Sequence, residues 1–249
     1  MLGAYITWWL FTTFHLHPLL APLIIVPAFF LIGWGLERTL VRRVLGAEPI
    51  ISLLMLFGVW LVLQSLAYVI WTGDSRTIEM PFIESTVSAL GMQFAVPRIY
   101  VFVMAGLILI ALQLFLTRTY LGRAIRATAQ DRDAARLVGV DVDRVMGIAF
   151  GLGIALAGFG GSLLSLLFSF TPDFGRELSL KSFCIVVLGG LDSIVGVAFG
   201  AISLALAESF GVRYMPASLQ NLISFVVLVV VLIALPKGIV GTLRALRRG

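Results

Sequence analysis

Eight segments of this 249-residue chain are apolar over lengths that approach or reach the thickness of a bilayer, and nothing else in the sequence restricts the fold as severely. A membrane-crossing helix needs about 20 predominantly apolar residues, with a usual range of roughly 17–25. The segments fall at about 1–16, 18–36, 50–71, 98–117, 145–169, 178–191, 195–211 and 219–236. In hydrocarbon every backbone N–H and C=O must find a partner within the protein, and a single span does this as a helix. The expected fold is therefore all-α, a polytopic membrane helix bundle of about eight transmembrane helices, the first and sixth of them short. Composition agrees: 60% of residues are hydrophobic and 12% charged, against about 45–50% and about 25% in ordinary soluble domains. One transmembrane domain over residues 1–249 is the simplest organisation. The first run, MLGAYITWWLFTTF, has neither the basic n-region nor the small-residue cleavage site of a secretory signal, so it reads as a retained helix.

Residues 187–196, VLGGLDSIVG, interrupt a long apolar stretch with Gly189, Gly190 and Asp192. Glycine is a poor helix residue and an apolar run so punctuated breaks or turns. Two short helices joined there are expected. The distribution of Lys and Arg supports the same break, because basic flanks stay on the cytoplasmic side. With the C-terminus inside, the inner loops carry Arg38, Arg42, Arg43, the six arginines of 118–144, Lys237, Arg244, Arg247 and Arg248, which is 13 of 18 basic residues. The outer loops carry Arg76, Arg98, Arg176, Lys181 and Arg213. A single span over 178–211 would put the basic tail LRALRRG outside. The net charge of +5 thus reports topology and implies no nucleic-acid partner.

The segment Arg118–Arg144 is a 27-residue polar island between oily runs. Within it Asp131 is placed to cap a helix whose first turn carries Asp133, since a side-chain acceptor and a negative charge both suit free N–H groups at a helix start. Gly139 supplies a stop. At 100° per residue Ala134, Ala135, Leu137 and Val138 share one broad face, and Arg132, Asp133 and Arg136 share the other. A helix of two turns is marginal alone and needs something to dock against. Lipid docking favours bulky anchors, whereas adjacent alanines suit close approach to a protein. The residues by themselves leave open a solvated connecting loop, a protein-docking helix and a lipid-surface contact.

DAARLVG (133–139) followed by an apolar helix resembles the EAA loop of ABC-transporter permeases, with Asp133 in place of the usual Glu and without the Leu-Pro that often closes the longer pattern. The wider context is more specific. TRTYLGRAIRATAQDRDAARLVGVDVDRV, FGLGIALAGFGGSLL, LKSFCIVVLGGLDSIVGVAFGAISLALAES and LPKGIVG follow one another in an order and spacing similar to branched-chain amino-acid ABC importer permeases, the shorter of the two such subunits in particular. The similarity runs from MLGAY to Gly241. Family members usually have a further apolar helix and an Asn-Phe-Ala-His-Gly-Glu-like segment before the position matching MLGAY, so this chain is expected to lack the family's first helix. Asp192 stands where the family more often has Gly or Asn.

The resemblance implies a permease subunit that translocates branched-chain or related amino acids across the bacterial inner membrane, with no catalytic residues of its own. It implies a second permease subunit, two ATP-binding subunits that use ATP and magnesium, and a periplasmic substrate-binding protein. This chain would bind no cofactor. Residues Asp131, Arg132, Asp133, Ala134, Ala135, Arg136, Leu137, Val138 and Gly139 would be the cytoplasmic coupling element, the alanine face filling a groove on an ATPase subunit. Related permeases serve urea and amides, aromatic acids or sugars, so fold fixes the machine better than the cargo. A secondary transporter would instead require ion coupling through embedded acids and frequently an inverted repeat, neither of which is visible. No G-x-x-x-x-G-K-[ST] pattern occurs, in keeping with nucleotide binding in trans.

Other residues have plainer roles. Gly153, Ala157 and Gly161 form one small-residue ladder and Gly196 with Gly200 another, each allowing helices to approach closely in lipid. Gly189 and Gly190 mark a discontinuity whose backbone polar groups must face a cavity or protein. Asp192 and Glu208 lie near expected helix ends, where solvation would spare them the cost of burial; with Gly189 and Gly190 they form the candidate pathway or helix-break set. Gln64, Gln113, Ser165 and Ser169 are ambiguous polar positions. Trp8, Trp9, Trp34 and Trp71 suit an aromatic belt. His15 and His17 have no nearby Cys, Asp or Glu, and Cys184 is the single cysteine, so neither a disulfide within the chain nor a metal site is expected.

Overall fold

The computed structural model describes residues 1–44, 49–80, 85–89, 92–190, 193–214 and 226. The elements are α1 (Leu2–Phe14), α2 (Ala21–Leu36), α3 (Pro49–Trp71), β1 (Thr86–Ala89), β2 (Met92–Ala95), α4 (Val96–Arg118), α5 (Tyr120–Gln130), α6 (Arg132–Leu137), α7 (Val142–Leu164), α8 (Phe174–Gly189) and α9 (Ile194–Tyr214). Helix α2 continues through a π-helical turn, Glu37–Val41, and a last α-helical turn, Arg42–Val44. Among the described residues five helices are long and apolar enough to span a membrane: Ala21–Val44, Ile50–Trp71, Val96–Arg118, Val142–Leu164 and Ile194–Gly211. Helices α1 and α8, at 13 and 16 residues, are the two expected to be short. The eighth expected span, 219–236, lies outside the described residues apart from Val226.

The all-α expectation needs one addition. Strands β1 and β2 pair antiparallel with Thr86 opposite Ala95 and Ala89 opposite Met92, a small hairpin between two spans. Its sequence, TVSA and MQFA, carries β-branched and aromatic residues within a connection too short on apolar length to be read as a span.

The chain forms two compact units, Met1–Phe174 and Gly175–Gly249. In the first, α2 and α7 make the most extensive helix pairing, and α1 also packs on α7. Leu10, Ala21, Ile25, Phe29 and Ala155 form the buried centre. The pairing is close because α7 presents small residues at Gly147, Gly151, Ala155 and Gly158, all buried. A β-carbon on Gly158 would stand 2.6 Å from the Phe29 ring, and one on Gly147 2.8 Å from Trp34. From the other side, one on Gly33 would stand 2.9 Å from the Gly151 Cα. The ladder expected at Gly153, Ala157 and Gly161 is corrected by this register: Gly153 and Ala157 are exposed and only Gly161 is buried. Several glycines sat on the same helix, and composition alone did not say which stripe meets the neighbour.

Helices α3 and α4 expose Leu53, Val62, Val69, Phe102 and Ile110, which is how lipid-facing surface looks when water is the wrong solvent for it. A second buried cluster joins Ala4, Tyr5 and Phe170 with Trp8, Trp71 and Phe174. Arg76 and Phe170 exchange both backbone hydrogen bonds, at 3.0 and 2.9 Å, and the Arg76 guanidinium lies 4.2 Å from the Trp8 ring centroid. Trp8 therefore does more than face lipid.

In the second unit, α8 and α9 pack through Cys184, Leu188 and Leu204. Here the expected small-residue contact is present. A β-carbon at Gly189 or Gly196 would strike the other's backbone, and one at Gly200 would lie 2.8 Å from the Gly189 nitrogen.

Candidate functional site

Two short turns of chain set the geometry of the polar island. Thr119 caps α5, its hydroxyl accepting from the Gly122 N–H at 3.0 Å. Asp131 then ends α5, donating its own N–H to the Ala127 carbonyl at 3.0 Å, and begins α6. One Asp131 carboxylate oxygen accepts from the N–H groups of Asp133 and Ala134 at 2.9 and 3.0 Å, so two of the free donors at the helix start are satisfied by one side chain. Asp133 occupies the first turn and Arg136 the last, the arrangement that the helix dipole favours. Gly139 has φ of 84°, a left-handed conformation in which a β-carbon is strained, and its N–H donates to the Arg136 carbonyl at 3.0 Å. Asp141 caps the next helix, accepting from the Arg144 N–H at 3.1 Å. The cap at Asp131 and the stop at Gly139 are as the residues suggest.

The apolar face of α6 differs from expectation. Ala135 is 3% exposed, whereas Leu137 and Val138 are 89% and 78% exposed; Ala134 is exposed as well. Helix α6 lies against α5 and α7, and Ala135 is the residue it turns inward. Ala134, Leu137 and Val138, with the charged residues Arg132 and Asp133, are thus the exposed residues of α6, whereas Ala135, expected on the exposed apolar face, packs inside the subunit. A helical wheel assigns four residues to one arc but does not know that the chain's own helices take part of it.

Arg136 is also engaged. It lies 3.5 Å from Asp143 and 3.9 Å from Asp133. Asp143, in the first turn of α7, is bonded in addition to Arg42. One carboxylate thus joins the last turn of α2, the short helix α6 and the start of α7. In the π-helical turn just before Arg42, Glu37 is 3% exposed, and its Oε1 has no hydrogen-bond partner. None of Asp143, Arg42 and Glu37 stood out as a site residue in the sequence. Arg42 registered only as a topology marker; the readable signal was an acid, Asp143, two residues beyond the capping Asp141.

The second candidate region is the break between α8 and α9. Helix α8 ends at Gly189, Gly190 takes φ of 94° and donates to the Val186 carbonyl at 2.9 Å, and Ser193 caps α9 by accepting from Gly196 N–H at 3.1 Å. The discontinuity is real and its free backbone donors are partly satisfied locally. Asp192 lies outside the described residues. Glu208 lies within α9 and not at its end, with its side chain 13% exposed and its Oε2 accepting from the Lys181 ammonium at 3.1 Å. The solvated helix-end carboxylate is corrected to a mostly buried ion pair, and Lys181 to a residue inside α8. Among the described residues no group of three or more His, Cys, Asp or Glu could hold a metal ion.

A third constellation went unread in the sequence. The Asp173 carboxylate accepts from Gln64 at 2.7 Å and from the Tyr68 hydroxyl, which gives the ambiguous Gln64 a partner in the turn after α7. Tyr5, fully buried, stacks on Trp71 with ring centroids 5.0 Å apart and meets Phe170 edge-on at 5.1 Å. These contacts tie α1, the end of α3 and the turn after α7 together.

The sequence model of the family described as branched-chain amino acid transport system permease component matches residues 1–232. The high-affinity branched-chain amino acid transport system permease protein LivH of Escherichia coli K12 is 31% identical over 216 residues, covering 84% of this chain and 70% of that one. The corresponding protein BraD of Pseudomonas aeruginosa is 31% identical over 228 residues, covering 89% and 73%. The fructose import permease protein FrcC of Rhizobium meliloti is 30% identical over 193 residues, covering 72% and 52%. No solved structure matches the chain.

Proposed function

Because the chain belongs to the family of branched-chain amino acid transport system permease components, and is thus a multi-pass permease subunit of an ABC importer, we propose that its cargo is a branched-chain or related amino acid. It works beside a second permease subunit and two ATP-binding subunits, and a periplasmic binding protein delivers the cargo in the bacterial inner membrane. Residues 118–144 and the C-terminus face the cytoplasm, as the excess of Lys and Arg in those loops supports. ATP and magnesium are used by the partner subunits, and this chain performs no catalytic step.

The observation that carries the reading is the capped helix α6, which leaves Leu137 and Val138 exposed in an otherwise polar segment. Apolar side chains so placed on a cytoplasmic surface fit a hydrophobic groove on a partner subunit. Rotation of that partner on ATP binding would push α6, and α6 would pass the displacement to the spans on either side.

Purification from membranes in mild detergent tests this. Two further subunit types should co-purify, and reconstituted ATPase activity should rise when a binding protein and leucine, isoleucine or valine are added. A chain isolated alone, with uptake following a sodium or proton gradient, would remove the reading. A sugar is the second reading for cargo, favoured by the 30% identity to a fructose import permease; stimulation by a sugar-loaded binding protein would select it.

A further inference from the structure

The contacts around Asp143 bear on how α6 moves the bundle. Helices α2 and α7 are interlocked: glycines on each side leave no room for a β-carbon at Gly33, Gly147 or Gly158. A pair packed so closely transmits displacement as one body, since close-packed contacts deform little. Helix α6 is different in kind. It has six residues, too few to hold a shape alone, and it depends on its cap, on Ala135 and on its neighbours.

Asp143 connects the two. Its Oδ2 accepts from Arg42, on the last turn of α2, and its Oδ1 lies 3.5 Å from Arg136 of α6. It stands in the first turn of a capped helix, where a negative charge suits the free N–H groups of the helix start. Side-chain exposures of 38% to 57% across the three residues mean that the pairs add little to stability, so their value is geometric. Immediately before Arg42 the helix winds as a π turn, Glu37–Val41. Such turns interrupt the regular ladder and recur where helices adjust. The buried Glu37 in that turn has an Oε1 without a hydrogen-bond partner and lies within electrostatic range of Arg42, Asp143 and Arg38.

We infer that Asp143 is a positioning residue for energy coupling: through Arg136 and Arg42 it fastens the coupling helix α6 to the interlocked α2–α7 pair, so that displacement of α6 is delivered to the end of α2. The inference rests on the importer reading and names the residue through which that reading operates. Glu37 is the second carboxylate available to Arg42 when α6 moves.

The test uses the complete transporter in proteoliposomes and compares Asp143→Asn, Asp143→Glu, Arg42→Gln, Arg136→Gln and the double variant Arg42→Gln/Arg136→Gln. Subunit composition, basal ATPase and substrate moved per ATP hydrolysed are read for each. Asp143→Asn should assemble with its ATPase subunits and keep basal hydrolysis, yet move about tenfold less substrate per ATP, within the usual span of coupling between sites. Asp143→Glu, which keeps the charge, should recover most of the loss. The single arginine variants should lose part, and the double variant should be no worse than Asp143→Asn, because members of one network are not additive. Unchanged stoichiometry in Asp143→Asn overturns the inference, as does a loss that tracks missing ATPase subunits and so marks a docking defect. Failure of the wild-type chain to co-purify with any ATPase would instead remove the importer reading.

Discussion

Lys181 and Glu208, 27 residues apart and on successive helices, meet at 3.1 Å with side-chain exposures of only 27% and 13%. A pair this sheltered costs desolvation to form, and its removal as a whole can be nearly neutral. Loss of one partner leaves the other charge without an answer. Lys181→Met alone should therefore destabilise the second unit by about 2 kcal/mol, the scale of a hydrogen bond to a charged group plus its desolvation, while Lys181→Met with Glu208→Leu should recover most of it. Thermal unfolding in detergent reads both, and equal midpoints for the single and double variants would show that the pair is not coupled.

Gly158 and Gly153 are five residues apart on α7 and should respond in opposite ways to the same substitution. A β-carbon at Gly158 would stand 2.6 Å from the Phe29 ring, whereas nothing lies within 4 Å of one at Gly153. Overpacking at a rigid contact costs about 1–3 kcal/mol. Gly158→Ala should lower the melting temperature and the yield of folded protein. Gly153→Ala should be neutral or slightly stabilising, because alanine loses less entropy in a helix than glycine. Similar behaviour of the two variants would show that the α2–α7 register is wrong.

Much of this architecture was legible because hydrocarbon imposes length. The spans at 50–71 and 98–117 agree to within two residues with α3 and α4, since nothing but a helix satisfies so long an apolar backbone. Local chemistry was legible too: the cap at Asp131, the stop at Gly139 and the break at Gly189–Gly190 each depend on a few adjacent residues. What escaped was tertiary. Periodicity does not reveal which stripe of α7 meets α2, that Ala135 turns inward, or that Asp143 lies where residues from sequence positions 42 and 136 converge. The hairpin at Thr86–Ala95 was missed because its four-residue strands carry too little pattern to compete with the spans around it.

Asp131 and Gly139 shape α6 from its two ends, and their loss should separate coupling from stability. Asp131→Ala removes an acceptor shared by two N–H groups and should cost about 1 kcal/mol of local helix stability, with Asn retaining most of it. Gly139→Val forces a β-branched residue into φ of 84°, a conformation that costs L-residues about 1–2 kcal/mol and β-branched ones more. Both strains fall on a six-residue surface helix, so global unfolding should shift little while uptake driven by ATP falls severalfold. Parallel measurement of the melting temperature and of uptake checks this; a large drop in melting temperature would mean that α6 is part of the folding core.

Leu137 and Ala135 give the sharpest contrast within α6. The wheel put both on a partner-facing surface, but Leu137 is 89% exposed and Ala135 3%. A carboxylate at position 135 would enter a packed site without a partner, a change that costs several kcal/mol or forces the helix off its neighbours. Ala135→Asp should therefore reduce the amount of folded protein before any effect on transport is seen. Leu137→Asp places its charge in water in the isolated subunit, so folding and membrane insertion should be unchanged. If α6 docks on an ATP-binding subunit as proposed, the penalty falls on that contact, and association should weaken by at least tenfold, the equivalent of about 1.4 kcal/mol. Co-purification at increasing detergent or salt, set beside the melting temperature of each variant, distinguishes the two. Retention of the ATPase by Leu137→Asp at wild-type strength would mean that the exposed apolar pair is not the docking surface.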